Sequence, residues 1–123
     1  MPDVRGLTIV VADISSERFR CALNMASAQA ALGGTARIFL DGEAVSILRQ
    51  PIAGWEDDRY EEAGLPTLPR LYGEALDLGV RVILCQSGMA MTGAEPRDYD
   101  DRVEYGGMVS LMQTLGEDRL VIA

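Results

Sequence analysis

The chain has 123 residues, 48% hydrophobic and 24% charged, with a formal net charge of −8, no histidine, and arginine as the residue at all 11 basic positions. That size and composition suit one domain with its own core, and the missing histidine and lysine exclude Ser-His-Asp and Cys-His pairs, histidine metal ligands, Schiff-base lysines and P-loop lysines. An acidic chain without a basic run is not built for nucleic acid or an anionic membrane surface.

Residues 7–12 (LTIVVA) form a short apolar, β-branched run, as expected for a strand buried on both faces of a parallel sheet. Ser15 and Ser16 are N-cap choices for a helix from Glu17 to about Leu32, closed by Gly33-Gly34. This helix carries two apolar stripes. One is Cys21, Met25, Ala28 and Leu32; beside it run Ala22, Ala26 and Ala30. A single stripe suffices to face a core, so the wider surface predicts a subunit contact or deep burial.

Residues 35–40 read as a second strand, stopped by Asp41-Gly42, and 43–48 as a short helical turn. Residues 49–68 contain Pro51, Gly54, Gly64 and Pro66 and read as one long irregular stretch. It holds the only tryptophan, Trp55, which with Tyr60 fits either a lid or simple packing. Residues 69–78 are predicted helical, with Leu71, Ala75 and Leu78 on one face and Gly79 as the stop. Residues 80–85 are a third buried strand, from which Gln86-Ser87-Gly88 turns into 89–93. Pro96 can open a short helix. A short strand at 103–105, a helix from Gly107 to Leu115 and a strand at 120–123 complete the chain. Met108, Leu111, Met112 and Leu115 share one face of that last helix. Alternating strands and helices imply a parallel sheet with helices on both faces, in one domain spanning 1–123.

The acidic runs 56–62 and 98–104 are interspersed with arginine and lack EF-hand spacing, so they read as solvated surface. Two cysteines are too few for an all-cysteine zinc site. No metal or cofactor is expected. The N-terminus lacks a signal-peptide pattern, and no apolar run approaches the roughly 18 residues of a membrane span. The expected setting is the cytoplasm, with reduced thiols.

Open α/β sheets bind ligands beyond the carboxyl ends of their strands. Those ends are 13–16, 41–42 and 85–88, and only the last offers a strong nucleophile, Cys85. A thiol at a strand-to-helix turn has its thiolate stabilised by free backbone N–H groups, which requires neither histidine nor lysine. The same position also suits a small buried hydrophobe. Cys21, inside a helix on an apolar stripe, reads as packing, and a Cys21–Cys85 disulfide is not expected. Gly33-Gly34 reads as a helix stop, and Gly106-Gly107 as a weak anion seat before a helix. Met89 and Met91 fit core filling or a soft pocket near Cys85.

Four segments together resemble the DsrE/DsrF-like family of small sulfur-handling proteins, almost end to end. They are 22–40 (ALNMASAQAALGGTARIFL), 41–48 (DGEAVSIL, similar to the family's G-x-x-V-x-x-L), 79–93 (GVRVILCQSGMAMTG) and the strand-helix-strand close at 103–123. The resemblance implies a three-layer α/β/α fold with a mostly parallel five-stranded sheet. It also implies homo-oligomers, commonly trimers or hexamers. In active members the cysteine matching Cys85 accepts a sulfane sulfur as a persulfide and passes it on; other members lack it and serve as structural or binding subunits. The expected function is a cytoplasmic sulfur carrier or sulfurtransferase acting through Cys85. Backbone N–H groups of Gln86, Ser87 and Gly88 would stabilise the persulfide anion. Its partners would be donor and acceptor proteins or small thiols. The alternative is a non-catalytic oligomeric binding module with a structural Cys85. A redox sensor is disfavoured, because no resolving cysteine lies nearby in sequence.

Overall fold

The apolar runs assemble into one five-stranded sheet in a computed structural model that describes residues 4–123. Strands β1 (Leu7–Val11), β2 (Ala36–Leu40), β3 (Arg81–Cys85), β4 (Glu104–Gly106) and β5 (Arg119–Ile122) lie in the order β4-β3-β2-β1-β5. Every neighbouring pair is parallel. β1 and β2 are buried at every residue, which is why their sequences are near-continuous apolar runs.

Five α-helices connect the strands: α1 (Ser16–Ala31), α2 (Asp57–Glu62), α3 (Leu68–Asp77), α4 (Gln86–Thr92) and α5 (Met108–Gln113). Short 3-10 turns cover Gly42–Leu48 and Pro96–Asp98. Ser15 caps α1, its side chain accepting the Arg18 N–H at 3.2 Å. Thr67 caps α3 in the same way. Gly33 closes α1 at φ +87°, a conformation that strains any side chain.

Strand order fixes where the helices lie. From β1 to β4 each crossover steps the same way along the sheet, so the right-handed rule places α1, α3 and α4 on one face. The β4-to-β5 connection alone runs back across the sheet, and it carries α5 to the opposite face. Arg37 records that placement. It reaches from β2 to Thr8 Oγ1 (2.8 Å), Thr114 Oγ1 (2.6 Å) and the Leu111 carbonyl (3.2 Å), tying β1 and β2 to α5.

Three sequence expectations change. The core face of α1 is Phe19, Ala22, Leu23 and Ala26. The two large side chains fill the core and the alanines allow close approach. Of the Cys21–Leu32 stripe, Met25 still packs against the core, while Cys21, Ala28 and Leu32 turn outward, Leu32 to 66% exposure. Deep burial of α1 and of Cys21 is thus ruled out. The helix predicted over 107–115 spans only Met108–Gln113, and Leu111 is its one buried residue.

The 49–68 stretch is not wholly irregular, since it contains α2 and is strapped to α1. Buried Arg20 donates to Asp57 Oδ1 (2.8 Å) and to the Pro66 carbonyl (2.9 Å). Its guanidinium lies 3.6 Å over the Tyr60 ring. Asp57 Oδ1 also accepts the Leu68 N–H (3.0 Å), and the Tyr60 hydroxyl donates to Glu17. Tyr60 is thus a packing residue of the strap.

Candidate functional site at the carboxyl end of β3

The connection leaving β3 turns to one face of the sheet and the connection leaving β4 turns to the other. Their divergence makes the carboxyl ends of β3 and β4 the switch point at which open α/β sheets bind ligands. Cys85 is the last residue of β3, beside Gly106 of β4 in register.

Cys85 is also the N-cap of α4. Its backbone stays extended (φ −67°, ψ 120°) and its Sγ accepts the Gly88 N–H at 3.4 Å. The Ser-Gly turn foreseen in the sequence is therefore the first turn of a helix whose cap is the thiol itself. Of the three amides expected to serve the sulfur, Gly88 N–H is the one hydrogen-bonded to it. Gln86 and Ser87 occupy the first two positions of α4, where N–H groups have no intrahelical acceptor. Both residues are exposed, whereas Cys85 is 6% exposed.

Gly88 is held there by shape. A Cβ on it would be driven into the carbonyl oxygen of Gly42, so the start of α4 rests directly on the backbone turn after β2. Thr92 steadies the same turn, its hydroxyl donating to the Gly88 carbonyl at 2.8 Å. Gly42 was visible in sequence only as a strand stop. Its partnership with Gly88 had no local signal.

Burial pushes the Tyr72 and Tyr99 phenols up, and both hydroxyls are buried without a hydrogen-bond partner among the described residues. Tyr60 is raised by its hydrogen bond to Glu17 and Tyr105 by burial. Asp98 is held down by the Glu95 backbone N–H, Asp100 by that of Arg102, and Glu104 by the Arg81 guanidinium. At this end of the sheet the Cys85 thiol is the side chain with the chemistry of a nucleophile. Among the described residues, no three His, Cys, Asp or Glu side chains gather as a metal site.

Two hollows adjoin this region. One, of about 200 Å³, lies between the sheet and α5 and is lined by Arg37, Arg81, Glu104, Gly106, Gly107 and Ser110 among others. Cys85 is not in its wall, though its register partner Gly106 is. The other, also about 200 Å³, sits past the carboxyl end of β1, between Ile14, Ser46, Arg49 and Trp55. Trp55 is 80% exposed. It borders this hollow, whose lining does not include Cys85.

A model of the DsrE/DsrF-like family matches residues 6–123. The chain belongs to the DsrE/DsrF-like family. Members are generally connected with sulfur relay. The DsrE-like fold is shared with the crystal structure of the ychN protein from E. coli, at TM-score 0.76 and 24% identity over 98% of this chain and 100% of that one. A protein of unknown function from Methanobacterium thermoautotrophicum, MTH1491, matches at TM-score 0.68 and 14% identity over 98% and 100%. No curated protein matches significantly. The DsrE-like sheet is wholly parallel here, a stricter form of the mostly parallel sheet expected. No helix among the described residues is long and apolar enough to cross a membrane.

The Arg81–Glu104 pair at the cavity mouth gives a pH prediction. It is bidentate, at 2.8 and 2.7 Å, and half-exposed. The pair lowers the Glu104 pKa, so its stabilisation is present above the usual carboxylate range and is lost as pH falls below about 4. Solvent screening limits its size to about 0.5–1 kcal/mol. Urea unfolding of wild type and Glu104→Gln is expected to differ by that amount at pH 7 and to converge near pH 3. A difference that is constant with pH would show that the pair contributes nothing through its charge.

Proposed function

We propose that this chain is a sulfane-sulfur carrier of the sulfurtransferase type, with Cys85 as the loaded residue. The observation that carries the reading is the capped thiol: Cys85 Sγ at the switch point, accepting the Gly88 N–H, in a DsrE/DsrF-like chain. The Cys85 thiolate attacks the outer sulfur of a donor persulfide, R–S–SH. A new S–S bond forms at Cys85, the donor's S–S bond breaks, and the donor leaves as the thiolate R–S⁻. An acceptor thiolate then attacks the outer sulfur of Cys85–S–SH, and Cys85 leaves as thiolate. Each step exchanges one S–S bond for another, so no net redox agent enters. The Gly88 N–H, with those of Gln86 and Ser87, serves the anionic sulfur as backbone amides serve an oxyanion. Donor and acceptor are proteins or small thiols, and the free thiols fit a reducing, cytoplasmic setting.

Mass spectrometry after incubation with a polysulfide donor tests this. Wild type is expected to gain one sulfur on the peptide containing Cys85, and Cys21→Ser to gain as much. Cys85→Ser is expected to lose the label essentially completely. An unlabelled wild type, or a fully labelled Cys85→Ser, would overturn the carrier reading.

The near-complete burial of Cys85 favours one second reading, a non-catalytic oligomeric binding module in which the thiol is a helix cap. It predicts ligand-induced thermal stabilisation that survives Cys85→Ser.

A further inference from the structure

Arg37 is a charged residue inside a buried strand, and its hydrogen bonds leave part of it unpaired. The residue is 7% exposed. Its three acceptors, Thr8 Oγ1, Thr114 Oγ1 and the Leu111 carbonyl, are all neutral. Asp118 Oδ2 stands 3.8 Å from Nε, beyond hydrogen-bond reach. A guanidinium carries five N–H groups, so two of them have no acceptor among the described residues. Arg81 lies directly opposite on β3 and adds a second positive charge to the same face. Like charges opposite one another on neighbouring strands repel.

Both arginines line the hollow of about 200 Å³ under α5, and Glu104 lines it from β4. Glu104 binds Arg81 through one hydrogen bond on each oxygen. A carboxylate has about four lone-pair sites, so acceptor positions remain. Arg37 helps to hold the Glu104 pKa down, which puts the buried guanidinium within electrostatic reach of that carboxylate. Phe39, Ile83 and Leu111, all buried, supply an apolar wall. Gly107 leaves the rim open, since a Cβ there would meet nothing within 4 Å. Spare donors, spare acceptors and an apolar wall thus share one hollow.

Charge selects the guest. Asp118 lines a neighbouring hollow together with the same two arginines. Two positive and two negative charges therefore cancel across the pair of hollows, in a chain that carries −8. A simple anion meets that overall field as repulsion, whereas a zwitterion has no net charge to repel. An α-amino acid holds both heads on one carbon, a carboxylate for the spare Arg37 N–H groups and an ammonium for Glu104. An aliphatic side chain suits the wall of Phe39, Ile83 and Leu111. The hollow beside Trp55 is a poorer candidate, because Arg49, the charged group in its wall, is 41% exposed and already paired with Asp98.

We infer that the hollow under α5 binds a free aliphatic α-amino acid, its carboxylate on Arg37 and its ammonium on Glu104. The site stands apart from sulfur loading, because Cys85 is not in its wall. A hydrogen bond to a charged group is worth about 10-fold or more in affinity, so both heads are expected to count.

The test is calorimetric titration of the full chain with three probes of one shape. L-leucine carries both heads, 4-methylpentanoate lacks the ammonium, and 3-methylbutylamine lacks the carboxylate. L-leucine is expected to bind about 10-fold or more tighter than either of the others. Glu104→Gln is expected to lose the advantage over 4-methylpentanoate and to keep the advantage over 3-methylbutylamine. Amide NMR shifts on the unmodified chain supply a measurement free of substitutions. With L-leucine they are expected to move at 81–83, 104–107 and 110–114, and to stay fixed around Trp55. Absence of L-leucine binding at millimolar concentration would overturn the inference. So would equal binding of L-leucine and 4-methylpentanoate, an undiminished preference in Glu104→Gln, or shifts centred away from the hollow.

Discussion

Replacing Asp57 with alanine is expected to lower unfolding free energy by about 3 kcal/mol, the lower end of the range for breaking a buried ion pair. The Arg20 side chain is 7% exposed and that of Asp57 18%, so the guanidinium loses its counter-charge in a place water hardly reaches. Leu68 N–H loses its acceptor as well, at the start of α3. The Tyr60 ring and the Pro66 carbonyl still hold the guanidinium, which keeps the cost from the top of the range. Asp57→Asn retains an oxygen for both donors and removes only the charge, so it is expected to cost less than half as much. Urea unfolding of the three proteins at pH 7 measures this. Equal stability of Asp57→Ala and wild type would show that the strap is ornamental to the fold. Because none of the strap's hydrogen bonds involves Cys85 or its cap, sulfur loading under native conditions is expected to be unaffected.

That strap also marks what the sequence could not disclose. The central strands were legible because burial on both faces writes itself as a near-continuous apolar run rich in β-branched residues, as in 7–11 and 82–85. The caps were legible because Ser15 and Gly33 act on their own neighbours. Cys85 was legible for the same reason, since an apolar run ending in Cys-Gln-Ser-Gly is a local pattern. Arg20 and Asp57 lie 37 positions apart, and nothing about either residue alone names the other. Residues 57–62 read as loop because six mostly charged residues have no apolar period, and their helix is anchored through Arg20 rather than through a core face. The outward turn of the Cys21 stripe was undecidable from spacing, which gives two faces without saying which meets the sheet. A further signal lies within the strands themselves. Thr8 and Arg37 are polar residues inside apolar strands, and they proved to be register partners under α5. A lone arginine in a buried strand asks for acceptors, and here those come from the segment that covers the second face.

Gly88→Ala is the substitution that separates the geometry of the candidate site from the mere presence of its thiol. Its new Cβ is driven into the Gly42 carbonyl oxygen, and the atoms it meets all belong to the Gly42 backbone, so no flexible side chain can yield. Either α4 lifts from the turn after β2 or the turn deforms, at a cost of roughly 1–3 kcal/mol. In either case the amide that caps Cys85 Sγ at 3.4 Å is displaced. The carrier reading then makes a second demand. With the cap misplaced, the nucleophilic thiolate and the persulfide anion lose their nearest donor. Loss of one such donor elsewhere costs about 100-fold or more in rate for an oxyanion. Sulfur is larger and holds its charge more diffusely, so the expected loss in loading rate is smaller, about 10-fold, measured by quenched mass spectrometry on protein shown to be folded at the assay temperature. Gly93→Ala is the control. It strains α4 at its far end, where φ is +69°, without touching the cap. It is expected to cost about 1 kcal/mol for the lost glycine and to load at close to the wild-type rate. If Gly88→Ala and Gly93→Ala are slowed alike, the hydrogen bond to Cys85 has no role in sulfur transfer. If Gly88→Ala alone is slowed, the close approach of Gly88 to Gly42 is there to aim an amide at sulfur.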